Sequence, residues 1–221
     1  MDRFVEIIKG HFQDRLISMG LHNIGVTSFL NKNGIFIVLD NVNAEDLHNV
    51  KRAYLRYKKK YSTPIVASRS FFEDAADVFC MEMMELKENS EILYGENIFS
   101  NINVSERALR VQIEYELRSK LLSLRGAFID LPLQKKIIDD LTYRSMYNML
   151  LILRNLLRLK GTVVNDNTLI DVFEEKFNIK LDAFKYLSDA GDLKFEKLFP
   201  MFKKYLDEVK KLVEISDKVL S

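Results

Sequence analysis

Apolar side chains at Phe4, Ile7, Ile8, Phe12, Leu16 and Ile17 recur at three- and four-residue steps, the spacing of one helical face. This predicts an amphipathic helix over 2–19, with Gly20 as its stop. Two runs of strand character follow, over 24–30 and 34–39. The second, Gly34-Ile35-Phe36-Ile37-Val38-Leu39, is apolar at every position after its glycine, which suits a strand covered on both faces. Asn31-Lys32-Asn33-Gly34 between the runs reads as a hairpin turn. A helix is expected from Asn43 or Ala44 to about Tyr61, ended by Thr63-Pro64, and Ile65-Val66-Ala67 opens a short strand. Ser70, with Glu73 at the capping-box position, predicts a helix over 71–79. Residues 81–86 read as another short strand, and Ile92-Leu93-Tyr94-Gly95 is a last apolar run ending in a turn.

The pattern changes near Ser105, after which no strand is expected. Ile113, Leu117, Leu121 and Leu124 mark one face of a helix opening at Ser105 and Glu106. A second long helix restarts at Leu131-Pro132 and runs to about Lys160. Its half over 146–159 is interrupted only by Asn148, Arg154, Asn155 and Arg158, as befits the centre of a bundle. Helices over 167–177, 182–188 and 194–219 complete the chain. The expected fold class is α+β: a small mixed β-sheet domain over 1–100, then an all-α up-and-down helical bundle over 101–221.

Composition narrows the chemistry. The 221 residues carry a net charge of +1, so no global field favours nucleic acid. Cys80 is the single cysteine, which excludes an internal disulfide and a thiolate zinc cluster. His11, His22 and His48 form no His-x-x-x-His or His-x-Glu pair. No phosphate-cradling glycine motif and no Gly-x-Ser-x-Gly elbow occurs. Apolar runs such as Met149–Leu153 are too short to cross a bilayer, and the first residues lack a secretory core. A cytoplasmic protein without a membrane partner is the expectation. The densest basic stretch holds Lys51, Arg52, Arg56, Lys58, Lys59 and Lys60 with interleaved tyrosines. Such a helix either lines a nucleic-acid surface or is a solvated face whose Val50, Tyr54, Leu55 and Tyr57 touch the sheet. Near-neutral net charge favours the second.

Two stretches carry a resemblance. One runs from Ser70-Phe71-Phe72-Glu73-Asp74 through Cys80-Met81-Glu82-Met83-Met84-Glu85-Leu86 to Ile92-Leu93-Tyr94-Gly95-Glu96. The other runs from Leu109-Arg110-Val111-Gln112-Ile113 to Leu121-Leu122-Ser123-Leu124-Arg125. Together they resemble bacterial proteins of the nucleotidyltransferase superfamily, the fold of DNA polymerase beta and kanamycin nucleotidyltransferase. That resemblance implies a small mixed sheet followed by a helical domain. In active members a Gly-Ser turn precedes an acidic pair on one strand, and a third carboxylate sits on a neighbouring strand. The carboxylates hold two divalent cations that polarise the phosphoryl group. Here the strand 35–40 matches the one that should bear the pair, yet the expected positions fall at Asn31, Lys32, Asn33 and Gly34. Gly25-Val26-Thr27-Ser28 is a loose echo of the Gly-Ser turn. Helical domains of this kind also occur as HEPN proteins, whose RNases carry an Arg, then four to six residues, then a His on one helix. This chain has no histidine after His48.

The resulting expectation is a catalytically inactive, nucleotidyltransferase-like binding or assembly module. It needs no cofactor, self-associates, and holds a nucleotide or another anionic ligand in its groove. Nucleic acid is not an expected partner. Two alternatives stand beside it. One is an active magnesium-dependent nucleotidyltransferase using Asp40, Glu82 or Glu85. The other is a nucleic-acid-binding module using the basic stretch. Glu82 and Glu85, three apart on an expected strand, would point to opposite faces. Self-association is expected through apolar residues near the C-terminus, among them Phe195, Leu198, Phe199, Phe202, Tyr205 and Leu206.

Overall fold

A computed structural model describes residues 2–23, 33–164 and 166–220. The chain divides into two units, Met1–Ser105 and Glu106–Ser221, so the division falls after Ser105 rather than at residue 100. The fold class is α+β. The expected strand over 24–30, the Gly-Ser echo over 25–28, and Asn31 and Lys32 of the turn lie outside the described residues.

The first unit runs α1 (Asp2–Phe12), β1 (Leu16–His22), β2 (Gly34–Leu39), α2 (Ala44–Tyr54), β3 (Ile65–Ser68), α3 (Arg69–Asp74), α4 (Cys80–Glu88) and β4 (Ser90–Gly95). The strands lie in the order β3-β2-β1-β4. β1 is antiparallel to β2 and β4, and β2 is parallel to β3. β1 corrects the sequence reading, which carried the first helix to residue 19. The helix ends at Phe12 because Gln13 adopts a left-handed φ of 46°. Leu16 and Ile17 continue the helical spacing by coincidence, but from Leu16 the backbone pairs with Leu39. Gly20 is no stop. It lies in mid-strand opposite Phe36, where a Cβ would overlap Glu91 O and the Phe36 ring.

All six residues of β2 are buried, and they alternate between two cores, as its two-faced apolar pattern requires. Ile35, Ile37 and Leu39 pack with Phe4, Ile8 and Phe12 of α1 and Val50 and Ala53 of α2. Phe36 and Val38 pack with Phe72, Met83, Leu86, Phe99 and Ile102. Phe99 meets Phe36 and Phe72 edge-on at 4.9 and 5.2 Å, a geometry that adds about 0.5–1.5 kcal/mol per pair to burial. α2 starts on a complete capping box between Asn43 and Asp46. It stops at Tyr54, so 55–60 are turns and not the continuing helix expected to Tyr61. The cap of α3 is Ser68, which accepts from Phe71 N at 3.2 Å; Ser70 sits inside the helix.

The second unit contains α5 (Glu106–Asp130), α6 (Lys135–Leu159), α7 (Leu169–Phe177), α8 (Asp182–Asp189) and α9 (Phe195–Leu220). α5 buries Leu109, Ile113, Leu117, Leu121 and Leu124, the stripe its spacing predicts. The apolar residues of α9 are largely internal. Leu198, Phe202 and Tyr205 are buried, Phe195, Phe199 and Leu206 are half-buried, and Phe199 stacks on Phe128 at 6.0 Å. Polar groups fasten the short helices. Ser145 Oγ and Tyr205 Oη share a buried hydrogen bond of 2.6 Å. Glu208 accepts from Ala183 N and Phe184 N at the start of α8. Burial pushes the Glu208 carboxyl above its ordinary range against those bonds.

Candidate functional site

β2, β3 and β4 point the same way, so the sheet has a carboxyl end carrying Asp40, Arg69 and Glu96 and an opposite end carrying His22 and Gly34. Open α/β sheets bind ligands outside the carboxyl ends of their strands. A pocket of about 280 Å³ lies there, lined by Arg69, Glu73, Glu96, Asn97, Asn101 and Asn103 among others. Arg69 leaves β3 directly and pairs with Glu96, which leaves β4. Ser18 Oγ donates to Glu96 O at 2.7 Å. Gly95 takes a φ of +78° against β1, where a Cβ would overlap Ile17 O. Asn97 Oδ1 accepts from Phe99 N and Ser100 N, while Phe99 and Ile102 are buried in the core beneath. The wall is therefore a turn anchored by its apolar residues, displaying polar ones.

The carboxyl end of β2 carries a second polar cluster. Arg15 grips Asp46 with two bonds of 2.9 Å, Asp40 at 3.1 Å and Asn41 at 3.1 Å. The Arg15 hydrogen bonds hold the buried Asp46 carboxyl below its ordinary range. Asp40, one of the three candidate carboxylates, thus belongs to a clasp joining the start of β1 to the start of α2.

Glu82 and Glu85 lie on α4, a helix where a strand was expected. Their spacing of three makes them neighbours on a helix, but Glu82 is exposed, whereas Glu85 is buried and accepts from Asn89 Nδ2 at 2.9 Å. The segment's Met, Glu, Leu and Lys content, with no β-branched residue, is the helix signal that the apparent alternation hid. Among the described residues no group of three His, Cys, Asp or Glu is placed to hold a metal ion. Residues 24–32 contain none of these four types.

At the opposite end, β2 opens with Gly34 beneath the ring of His22, where a Cβ would overlap the imidazole. Asn33 O accepts from Ser62 N at 3.1 Å. His22 is buried, its Nε2 has no hydrogen-bond partner among the described residues, and burial lowers its pKa. This is where the resemblance implies acidic residues, and the strand start carries Asn33 and Gly34.

Lys51 and Arg52 occupy the last turn of α2, and Arg56, Lys58, Lys59 and Lys60 follow it on turns, all exposed. The tyrosines serve the fold. Tyr57 packs edge-on against Phe4 at 5.1 Å, and Tyr54 Oη donates to Tyr61 O at 2.9 Å. Val50 is buried, as expected, but Leu55 is exposed. Cys80 is buried and burial raises its thiol pKa, which suits a core residue. Reasoning from sequence did not single out Arg69, Asn97, Asn101 or Asn103. The only available signal was the alternation of asparagines with Ile98, Phe99 and Ile102 after β4. The chain matches no family model and no curated protein.

Proposed function

We propose that this chain is a nucleotidyltransferase-like binding module that does not transfer nucleotidyl groups, and that its ligand enters the pocket around Arg69. The observation that carries this reading is the division of labour in the sheet unit. The start of β2 brings no carboxylate, while the carboxyl end holds an anchored polar pocket. The mixed sheet followed by a helical unit supports the resemblance itself.

The pocket's own chemistry selects the ligand. Arg69, Glu73 and Glu96 give its wall one positive and two negative side chains. A triphosphate meets net repulsion there. A small amphoteric molecule fits better: an anionic group competes with Glu96 for Arg69, a cationic or amide group meets the glutamates, and the asparagines supply both donors and acceptors. The experiment incubates the protein with labelled ribonucleoside triphosphates, magnesium or manganese, and candidate acceptors, and in parallel screens amino-acid-like zwitterions by calorimetry. The expected result is no protein-dependent pyrophosphate release, with zwitterion binding. Pyrophosphate release that is lost in both Glu82→Ala and Glu85→Ala overturns the reading.

A further inference from the structure

The helical unit carries an apolar row on its outside. On α5, Val111, Tyr115, Leu122 and Ile129 are 63%, 67%, 67% and 80% exposed, on the side opposite the buried leucine stripe. With Arg118 and Arg125 they form the series 111, 115, 118, 122, 125, 129, whose alternating steps of four and three are the spacing of a two-helix seam. The row spans roughly 27 Å at a rise of 1.5 Å per residue. A single exposed leucine is ordinary, but a heptad-spaced row marks an interaction surface.

We propose that α5 pairs with α5 of a second copy, antiparallel, about a twofold axis at the level of Lys120. This occupant follows from the self-complementarity of the row. The twofold sets Val111 against Ile129, Tyr115 against Arg125, and Leu122 against Arg118 of the other copy. Val111 lies in a surface depression of about 510 Å³ lined also by Glu106, Arg107, Arg110 and Glu114. Ile129, the most exposed member of the row, is the knob that enters it.

The charges agree. Glu114 and Asp217 already neutralise Arg118, through contacts of 3.2 and 2.6 Å, so its aliphatic stem can lie along Leu122 of the other copy. Arg125 is exposed and arrives over the Tyr115 ring of the other copy, a cation–π contact. Parallel pairing would instead set Arg118 on Arg118 and Arg125 on Arg125.

The test is sedimentation velocity on the full chain from micromolar to hundred-micromolar concentration. A dimer is expected. Leu122→Glu with Ile129→Glu should leave a monomer with unchanged circular dichroism and melting temperature. Should that pair disturb folding, Leu122→Ser with Tyr115→Ser is the milder version, with the same expected dissociation. Arg125→Glu should weaken the dimer at least tenfold in Kd. In a Cys80→Ala background, Val111→Cys with Ile129→Cys should oxidise to a covalent dimer, and Val111→Cys alone should not. A monomer throughout overturns the proposal, as does a dimer indifferent to changes in the row or a dimer cross-linked by Val111→Cys alone. Binding to a lipid vesicle or another protein through an intact row, with no dimer, overturns it equally.

Discussion

The two ends of the sheet are built from the same strands and yet hold their polar groups in opposite ways. At the carboxyl end Arg15 and Arg69 each hold acidic partners, and the loop after Gly95 is tied to the core by Phe99 and Ile102. At the other end the His22 imidazole lies over a glycine, its Nε2 without a partner among the described residues, and the sequence places no acidic residue at the start of β2. An end that organises cations for phosphoryl chemistry would show the reverse, with converging carboxylates at the β2 start. Polar side chains gather at the end where a loop can display them. The proposed binding role therefore rests on the pocket, because function lives in a site and not in a scaffold.

The largest test of this comparison is at the His22 end. Gly34→Ala forces its new methyl into the imidazole, and overpacking of a closed site costs about 1–3 kcal/mol. Removing the ring with His22→Ala should recover part of that loss in the double variant, giving a favourable coupling energy. Chemical denaturation of the four proteins measures the cycle. Strict additivity would mean that the ring does not occupy the space above Gly34.

A smaller effect separates the ends by pH. Burial depresses the His22 pKa below 6.5, so the unfolded chain binds the proton first. Stability should fall as pH drops through about 6.5, and stop falling from this cause once the folded pKa is passed. Asp46 behaves differently. Its pKa is depressed below 3.8, so its contribution is complete above that value and is lost only as pH falls beneath it. His22→Gln should flatten the fall in stability that begins near pH 6.5, and Asp46→Asn should flatten only the part below about 4. If His22→Gln leaves the upper window unchanged, the imidazole is not held neutral by its surroundings.

What could be read in advance follows physical lines. β2 declared itself because burial on two faces leaves a continuous apolar run, and α5 because burial on one face leaves a helical stripe. β1 was hidden. Leu16 and Ile17 fall in helical register with Phe12, and only pairing with Leu39 and Tyr94, far along the chain, makes the segment a strand. α4 was hidden by an accidental alternation of methionine and glutamate. The pocket could not be read at all, because Arg69 and Glu96 meet only once β3 and β4 have taken the two edges of one sheet. The carboxylates that the resemblance points to are therefore scattered: Asp40 is held by Arg15, and Glu82 and Glu85 lie on one helix.

The smallest effect on stability, and the sharpest on function, belongs to Arg69. The side chain is partly exposed and its partner Glu96 is more exposed still, so the ion pair contributes at most about 1 kcal/mol. Arg69→Ala should leave the denaturation midpoint nearly unchanged, because the pocket wall is held by Phe99, Ile102 and the Asn97 turn rather than by the arginine. The same substitution removes the only cation lining the pocket among the described residues. An amphoteric ligand then faces Glu73 and Glu96 alone, and losing a charge-assisted bond of about 1.5–3 kcal/mol lowers affinity by more than tenfold. Glu96→Gln separates the contributions. It frees Arg69 from its competitor while keeping shape, so ligands carrying a carboxylate should bind more tightly and ligands carrying only an ammonium more weakly. Calorimetry with a matched acid, amine and zwitterion reads these three arms. Equal affinity of all three ligands for the wild type and both variants would remove Arg69 from the site and return the carboxyl end of the sheet to a purely structural role.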